Sequence, residues 1–267
     1  MLPTFVFVVL LAQVFKPVEA LTCLNSCTIT GLKGQRLNVR DSTCSSANGT
    51  ACLAVVSFHY HTGEYRVMFN TAPMTGYSRS IYITPPNSLD YWTVHACSNN
   101  DTCALEFAQM KVSGLSRRDY NSSTLWAELV PILQESKGAG SVLSCFDNEI
   151  CVDGTCNIGY DTKSNSQIGR QCHTYSSLPN IMVRENDFSG SFDLFCNRTR
   201  CNSPQTADQV KAILTKYKLT DANGRIPDLA EEIINGPIIV NGGHGTVASM
   251  LLISGLVFIH GFFSCNT

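Results

Sequence analysis

The chain opens and closes on apolar runs, and between them hydrophobic and polar positions alternate over short distances. In the interior, "CLAVVSFHYH" and "EYRVMF" in the first half and "CNIGY" in the second read as strands. Each is a short apolar, partly β-branched run with little sign of a 3.6-residue period. Two stretches read as helical. In "STLWAELVPILQESK", Pro131 must end or kink any helix begun near Thr124, because it lacks an N–H and its ring crowds the preceding turn. In "TADQVKAILTKYKL", Val210, Ile213, Leu214 and Tyr217 fall on one face. Neither half carries a long periodic apolar pattern. The expected class is therefore mainly β: small disulfide-rich modules with short helical segments.

The terminal runs change how the cysteines are read. Phe5 to Val14 is apolar and is followed by Val18-Glu19-Ala20, whose small or modest residues fit signal-peptide cleavage before Leu21. Secretion places the chain where cysteines pair. The 267 residues include 13 cysteines. Twelve lie between the two ends: Cys23, Cys27, Cys44, Cys52, Cys97, Cys103, Cys145, Cys151, Cys156, Cys172, Cys196 and Cys201. The odd one, Cys265, sits in the terminal run, so pairing among the twelve is expected and the tail is expected to be discarded. The sequons at Asn48, Asn100, Asn121 and Asn197 point to an exposed, glycosylated surface.

The tail from Val247 to Phe263 is seventeen residues long. As a helix it would span about 26 Å, the short end for a bilayer crossing. Four residues follow it and none is basic, so the cytoplasmic anchor of a spanning helix is missing. Small residues at Asn241-Gly242-Gly243, a short polar spacer and a terminal apolar run instead form the signal for attaching a glycosylphosphatidylinositol (GPI) lipid at Asn241.

The twelve cysteines divide six and six, and two landmarks recur in order. "NGTAC" ending at Cys52 matches "DGTC" ending at Cys156; "HACSNNDTCA" matches "LFCNRTRCNS", each a close cysteine pair enclosing a sequon. The short loops make Cys97–Cys103 and Cys196–Cys201 the expected local bridges. The layout is a signal peptide over 1–20, a cysteine-rich module over 21–112, and a partly helical linker over 113–141 ending in "GAGS". A second module spans 142–204, a helical and polar stalk 205–241, and a cleaved propeptide 242–267.

Cys196, four residues, Cys201 and Asn202 resemble the closing Cys-x4-Cys-Asn of the Ly6/uPAR three-finger family. "LTCLNSC" after the signal peptide resembles that family's opening Leu-x-Cys-x-x-Cys, with one extra residue. The resemblance implies three-finger-like modules of β fingers on a disulfide core, GPI anchoring, and an Asn202 that caps the core through backbone hydrogen bonds. This chain departs from the family at Phe195, which stands where a cysteine doublet is usual, in the length of its Cys52–Cys97 segment, and at Cys103-Ala104.

A formal charge of −2 gives no electrostatic case for nucleic acid. His59 and His61 share a strand face without a third ligand, and "DANGR" at 221–225 reads as a turn; neither predicts a metal, and no cofactor or catalytic motif is expected. Aromatic residues concentrate between Cys52 and Cys97. Phe69 and Tyr82 are expected in the core, and Tyr91 and Trp92 in "PPNSLDYW" on a binding surface. The function expected is a GPI-anchored glycoprotein on the outer leaflet of the cell membrane, recognising an extracellular protein or modulating a receptor or channel. The alternative is a coat-type surface glycoprotein.

Overall fold

Nine antiparallel strands form one sheet that runs through both cysteine-rich modules, in the order β11-β10-β13-β12-β6-β7-β4-β5-β2. The first module supplies β2 (Cys27–Leu32), β4 (Ala51–His59), β5 (Glu64–Ala72), β6 (Gly76–Thr84) and β7 (Ser88–Cys97). The second supplies β10 (Thr155–Asp161), β11 (Ser166–His173), β12 (Asn180–Asn186) and β13 (Gly190–Cys196). Short two-stranded sheets pair β1 (Leu21–Asn25) with β3 (Ser45–Gly49), and β8 (Leu143–Ser144) with β9 (Ile150–Cys151). Among the described residues the α-helices are α1 (Cys103–Arg117), α2 (Ser122–Leu133) and α3 (Pro204–Lys216).

The computed structural model describes residues 20–39, 43–135, 142–152, 154–174 and 178–227. They all fall within one unit, Met1–Ala230; a second, Glu231–Thr267, contains none of them. The signal peptide up to residue 19, the "GAGS" segment, Asn241 and the propeptide lie outside the described residues.

Period-two burial builds the sheet. On β4, Ala54, Val56 and Phe58 are fully buried, and across β5 they meet Val67 and Phe69. Gly63, at φ +71°, makes the turn between these two strands, where a side chain would be strained. The helices follow from local chemistry. Asn121 Oδ1 accepts from Thr124 N at the start of α2, and Ser203 Oγ accepts from Thr206 N at the start of α3, where Pro204 occupies the first turn. Pro131 sits in the last turn of α2, which ends at Leu133. α1 was not expected. Ala104, Phe107, Ala108, Val112 and Leu115 recur at helical spacing and are buried against the sheet.

The two modules repeat one plan. Each contributes two hairpins joined through their first and last strands, in the order β5-β4-β7-β6 and β11-β10-β13-β12, followed by a short disulfide loop and a helix. Cys52 stands opposite Cys97 on β4 and β7, as Cys156 stands opposite Cys196 on β10 and β13. The modules join through equivalent edge strands, β6 and β12. Carrying the cysteine equivalence outward puts Ser80 opposite its own counterpart, Arg184, so a pseudo-two-fold axis crosses the sheet there.

All twelve cysteines pair, and every bridge stays within its module. Cys97–Cys103 and Cys196–Cys201 are the local bridges. Cys23–Cys52 matches Cys145–Cys156, whereas Cys27–Cys44 ties β2 to the segment before β3 and Cys151–Cys172 ties β9 to β11. Asn202 is fully buried: its Oδ1 accepts from Phe146 N at 2.7 Å and its Nδ2 donates to Asn157 O at 3.1 Å.

The expected layout needs three corrections. The boundary at 112 falls inside α1, because the helix starts at the closing cysteine itself. The linker over 113–141 contains the buried Leu125, Leu129 and Leu133 of α2. Residues 205–227 are not stalk, since Val210, Leu214, Leu219 and Ile226 all enter the core.

Candidate functional site

Successive residues of a strand point to opposite faces, and this sheet uses its two faces differently. α1 and α3 pack on one face, and α2 lies beside α3. On the open face, Met68, Val55 and Val94 stand side by side across β5, β4 and β7. One row along, Ser57, Trp92, Ser80, Arg184 and Ser191 face one another from β4 through β7, β6 and β12 to β13. Tyr82 opposes Met182 across the seam. Except for the fully buried Ser57 and the exposed Arg184, these residues are half-buried.

Tyr91 and Trp92 are consecutive on β7 and cannot share a face. Tyr91 is 2% exposed beneath the helices, so the expectation of a surface role is corrected for it; Trp92 lies on the open face. Phe69 is in the core, but Tyr82 is on the open face rather than inside. Trp92 meets His59 edge-on at 6.3 Å, and His59 Nδ1 lies 2.6 Å from Asp90 Oδ1. His61 sits in the following turn. "DANGR" is a turn: Asp221 Oδ1 accepts from Asn223 N and Arg225 N. Among the described residues no three His, Cys, Asp or Glu side chains converge as a metal site would require.

At the seam the open face sinks into a groove of ≈ 530 Å³. Tyr82, Trp92 and Val94 line it from the first module, and Asp161, Ile168 and Arg184 from the second. Ser78, Ser80, Ser189, Ser191 and Asn186 add hydroxyls and an amide. Arg184 Nη2 is 3.3 Å from Asp193 Oδ2, which also accepts from Ser191 Oγ. Asp161 Oδ1 accepts from the backbone N–H groups of Lys163 and Ser164, which holds its pKa below the usual carboxylate value.

Beneath the same seam, on the helix side, lies a polar cluster that sequence reasoning did not find. Arg79 Nε and Nη2 donate to Glu185 Oε2 at 2.9 and 2.8 Å, and Nη1 donates to Pro227 O. Glu185 Oε1 accepts from Ile226 N. Burial opposes the Arg79 charge, but Tyr77 and Glu185 more than offset it and raise the pKa. Burial also pushes the Tyr91 phenol up. The His95 imidazole stacks 4.5 Å from Phe107 and is held below its ordinary pKa, first by burial and then by Lys111. Lys111, 4% exposed, lies over the Tyr77 and Phe107 rings. Lys211 repeats this in the second module, 3.8 Å over Tyr160. A sequence signal existed for Arg79, which falls in the inward phase of Ile81 and Ile83.

None of the sequon asparagines lies within the nine strands. Asn48 is on β3, Asn100 in the turn before α1, Asn121 at the α2 cap and Asn197 just past β13. The first three are exposed and Asn197 is half-buried. Asn100 and Asn121 use Oδ1 in local hydrogen bonds, so these bonds do not engage the amide nitrogen that carries a glycan. No family model, curated protein or solved structure matches the chain.

Proposed function

We propose that the chain is a diverged Ly6/uPAR three-finger-like glycoprotein, carried on the outer leaflet by a GPI lipid at Asn241, that works by recognition rather than catalysis. The partner expected is an extracellular protein or its attached glycan. The observation that carries this reading is the open face of the nine-stranded sheet, aromatic at its centre and free of sequons. Support for the family likeness comes from Asn202, whose two backbone hydrogen bonds match the capping role the resemblance implies. Six module-internal disulfides suit an extracellular ectodomain.

The test is surface display of the full chain on cells. Phosphatidylinositol-specific phospholipase C should release it together with a known GPI protein, and replacing Asn241 and Gly242 by bulky residues should abolish display. Retention on the membrane while the control protein leaves overturns the anchor. The released protein should bind a target cell saturably, and Trp92→Ala should remove that binding. Dense display without any saturable partner would favour the coat-type alternative.

A further inference from the structure

We propose that the groove at the β6–β12 seam binds an uncharged pyranose ring of a glycan; this deepens the recognition reading above and rests on it. The backbone argues first. β6 is hydrogen-bonded on both sides, to β7 and β12, and β12 likewise to β6 and β13. A peptide cannot add as a strand there, so whatever enters must be held by side chains.

Those side chains are of two kinds. Trp92 and Tyr82 offer aromatic surface, against which the C–H face of a sugar ring packs with loss of apolar area to water. Around them stand hydroxyls from Ser78, Ser80 and Ser191 and the side chain of Asn186, each able to bond a sugar hydroxyl. On the groove side the charges balance, with Arg184 against Asp161, while Arg79 and Glu185 belong to the cluster on the helix side. Arg79 is turned to Glu185 and Arg184 to Asp193, so neither guanidinium is free of a carboxylate. That argues against a site built for sulfated or sialylated sugars and favours a neutral one. The groove volume, ≈ 530 Å³, lies within the range of about 300–1,000 Å³ usual for small-ligand sites. Because both modules contribute to the lining, the site exists only where the two modules are joined.

Trp92 also provides the readout. The chain has two tryptophans, and the other, Trp126, is 6% exposed on α2. The full chain, solubilised in a detergent without a sugar headgroup and trimmed of its own N-glycans, is titrated with mannotriose, cellotriose and chitotriose, and separately with sialyllactose and a heparin tetrasaccharide. At least one neutral trisaccharide should shift the tryptophan emission saturably. In Trp92→Phe that shift should vanish, and equilibrium dialysis with labelled trisaccharide should show at least tenfold weaker binding by Tyr82→Ala and by the groove-filling Ser80→Tyr. Unchanged near-ultraviolet circular dichroism confirms that each variant is folded. The proposal is overturned if no neutral sugar binds, if a charged one binds tenfold more tightly, or if the variants bind as well as the parent. Should Trp92→Ala abolish saturable binding to cells while no sugar binds the parent, the recognition reading stands and the glycan falls.

Discussion

Replacing Glu185 by Ala would strike the seam at its most polar contact. The carboxylate takes two hydrogen bonds from the Arg79 guanidinium and a third from Ile226 N, with side-chain exposures of 12% for Arg79 and 11% for Glu185. Removing one partner of a buried pair strands the other charge, which costs about 3–5 kcal/mol, and the small residual exposure puts this case near the lower end. The unpaired Ile226 N–H adds about 1 kcal/mol. For a urea slope of about 2 kcal/mol per molar, a loss of about 3–4 kcal/mol lowers the unfolding midpoint by about 1.5–2 M. The assay is urea unfolding of the disulfide-intact chain followed by circular dichroism. Exchanging the two residues, Arg79→Glu with Glu185→Arg, should not restore stability. The new guanidinium would face the Ile226 N–H, and the new carboxylate would face the Pro227 carbonyl. The apolar pair Arg79→Met with Glu185→Leu should fall much closer to the parent, because it strands no charge. A midpoint shift below about 0.3 M for Glu185→Ala, or full rescue by the exchange, would refute the argument.

Asn202→Ala should cost about 2–5 kcal/mol, since it strands the buried Phe146 N–H and Asn157 C=O together; a loss below about 1 kcal/mol in the same urea assay would sink this. His95 is held below its ordinary 6.5 in the folded chain, so the unfolded chain takes up the proton first as pH falls. Its contribution is complete above pH 6.5 and is lost as pH drops through the lowered folded value. His95→Phe, which keeps the stacking on Phe107, should therefore flatten the fall in stability between about pH 7 and pH 5; an unchanged profile would refute this. Removing the Cys23–Cys52 bridge by paired alanines frees a separation of 29 residues, against 6 for Cys97–Cys103. Chain entropy alone makes the first loss greater by about 1.4 kcal/mol, and an equal or reversed order would show native strain or residual structure in control.

The local bridges, the strand runs of β4, β5 and β10, and the apolar face of α3 were legible because each depends on neighbours close in the chain. Tyr91 and Trp92 show where that ends. Alternation says that two consecutive strand residues part company, but only the register with β4 and β6 says which goes inside. Tyr82 was misplaced for the same reason. α1 was hidden by its opening at Cys103, directly after a strand and a sequon, and by Gly114, which lowers helix propensity. The seam was the least visible feature. β6 and β12 lie about a hundred residues apart, and nothing local to either edge names the other. The groove, which exists only across that seam, was hidden with it, although Trp92 on its rim was picked out by residue type.

The contact of Arg79 with Pro227 has a mechanical side. Any pull on the chain beyond Pro227 enters the fold through the Arg79–Pro227 and Glu185–Ile226 hydrogen bonds, at the centre of the sheet rather than at the exposed edges, β2 and β11. Those two bonds sit beside the pairing of β6 with β12, and they can yield before any covalent bond is loaded. A pull from that side would first strip the Arg79–Glu185 pair of its Pro227 and Ile226 partners, long before it reached Cys201 and the disulfides of the second module.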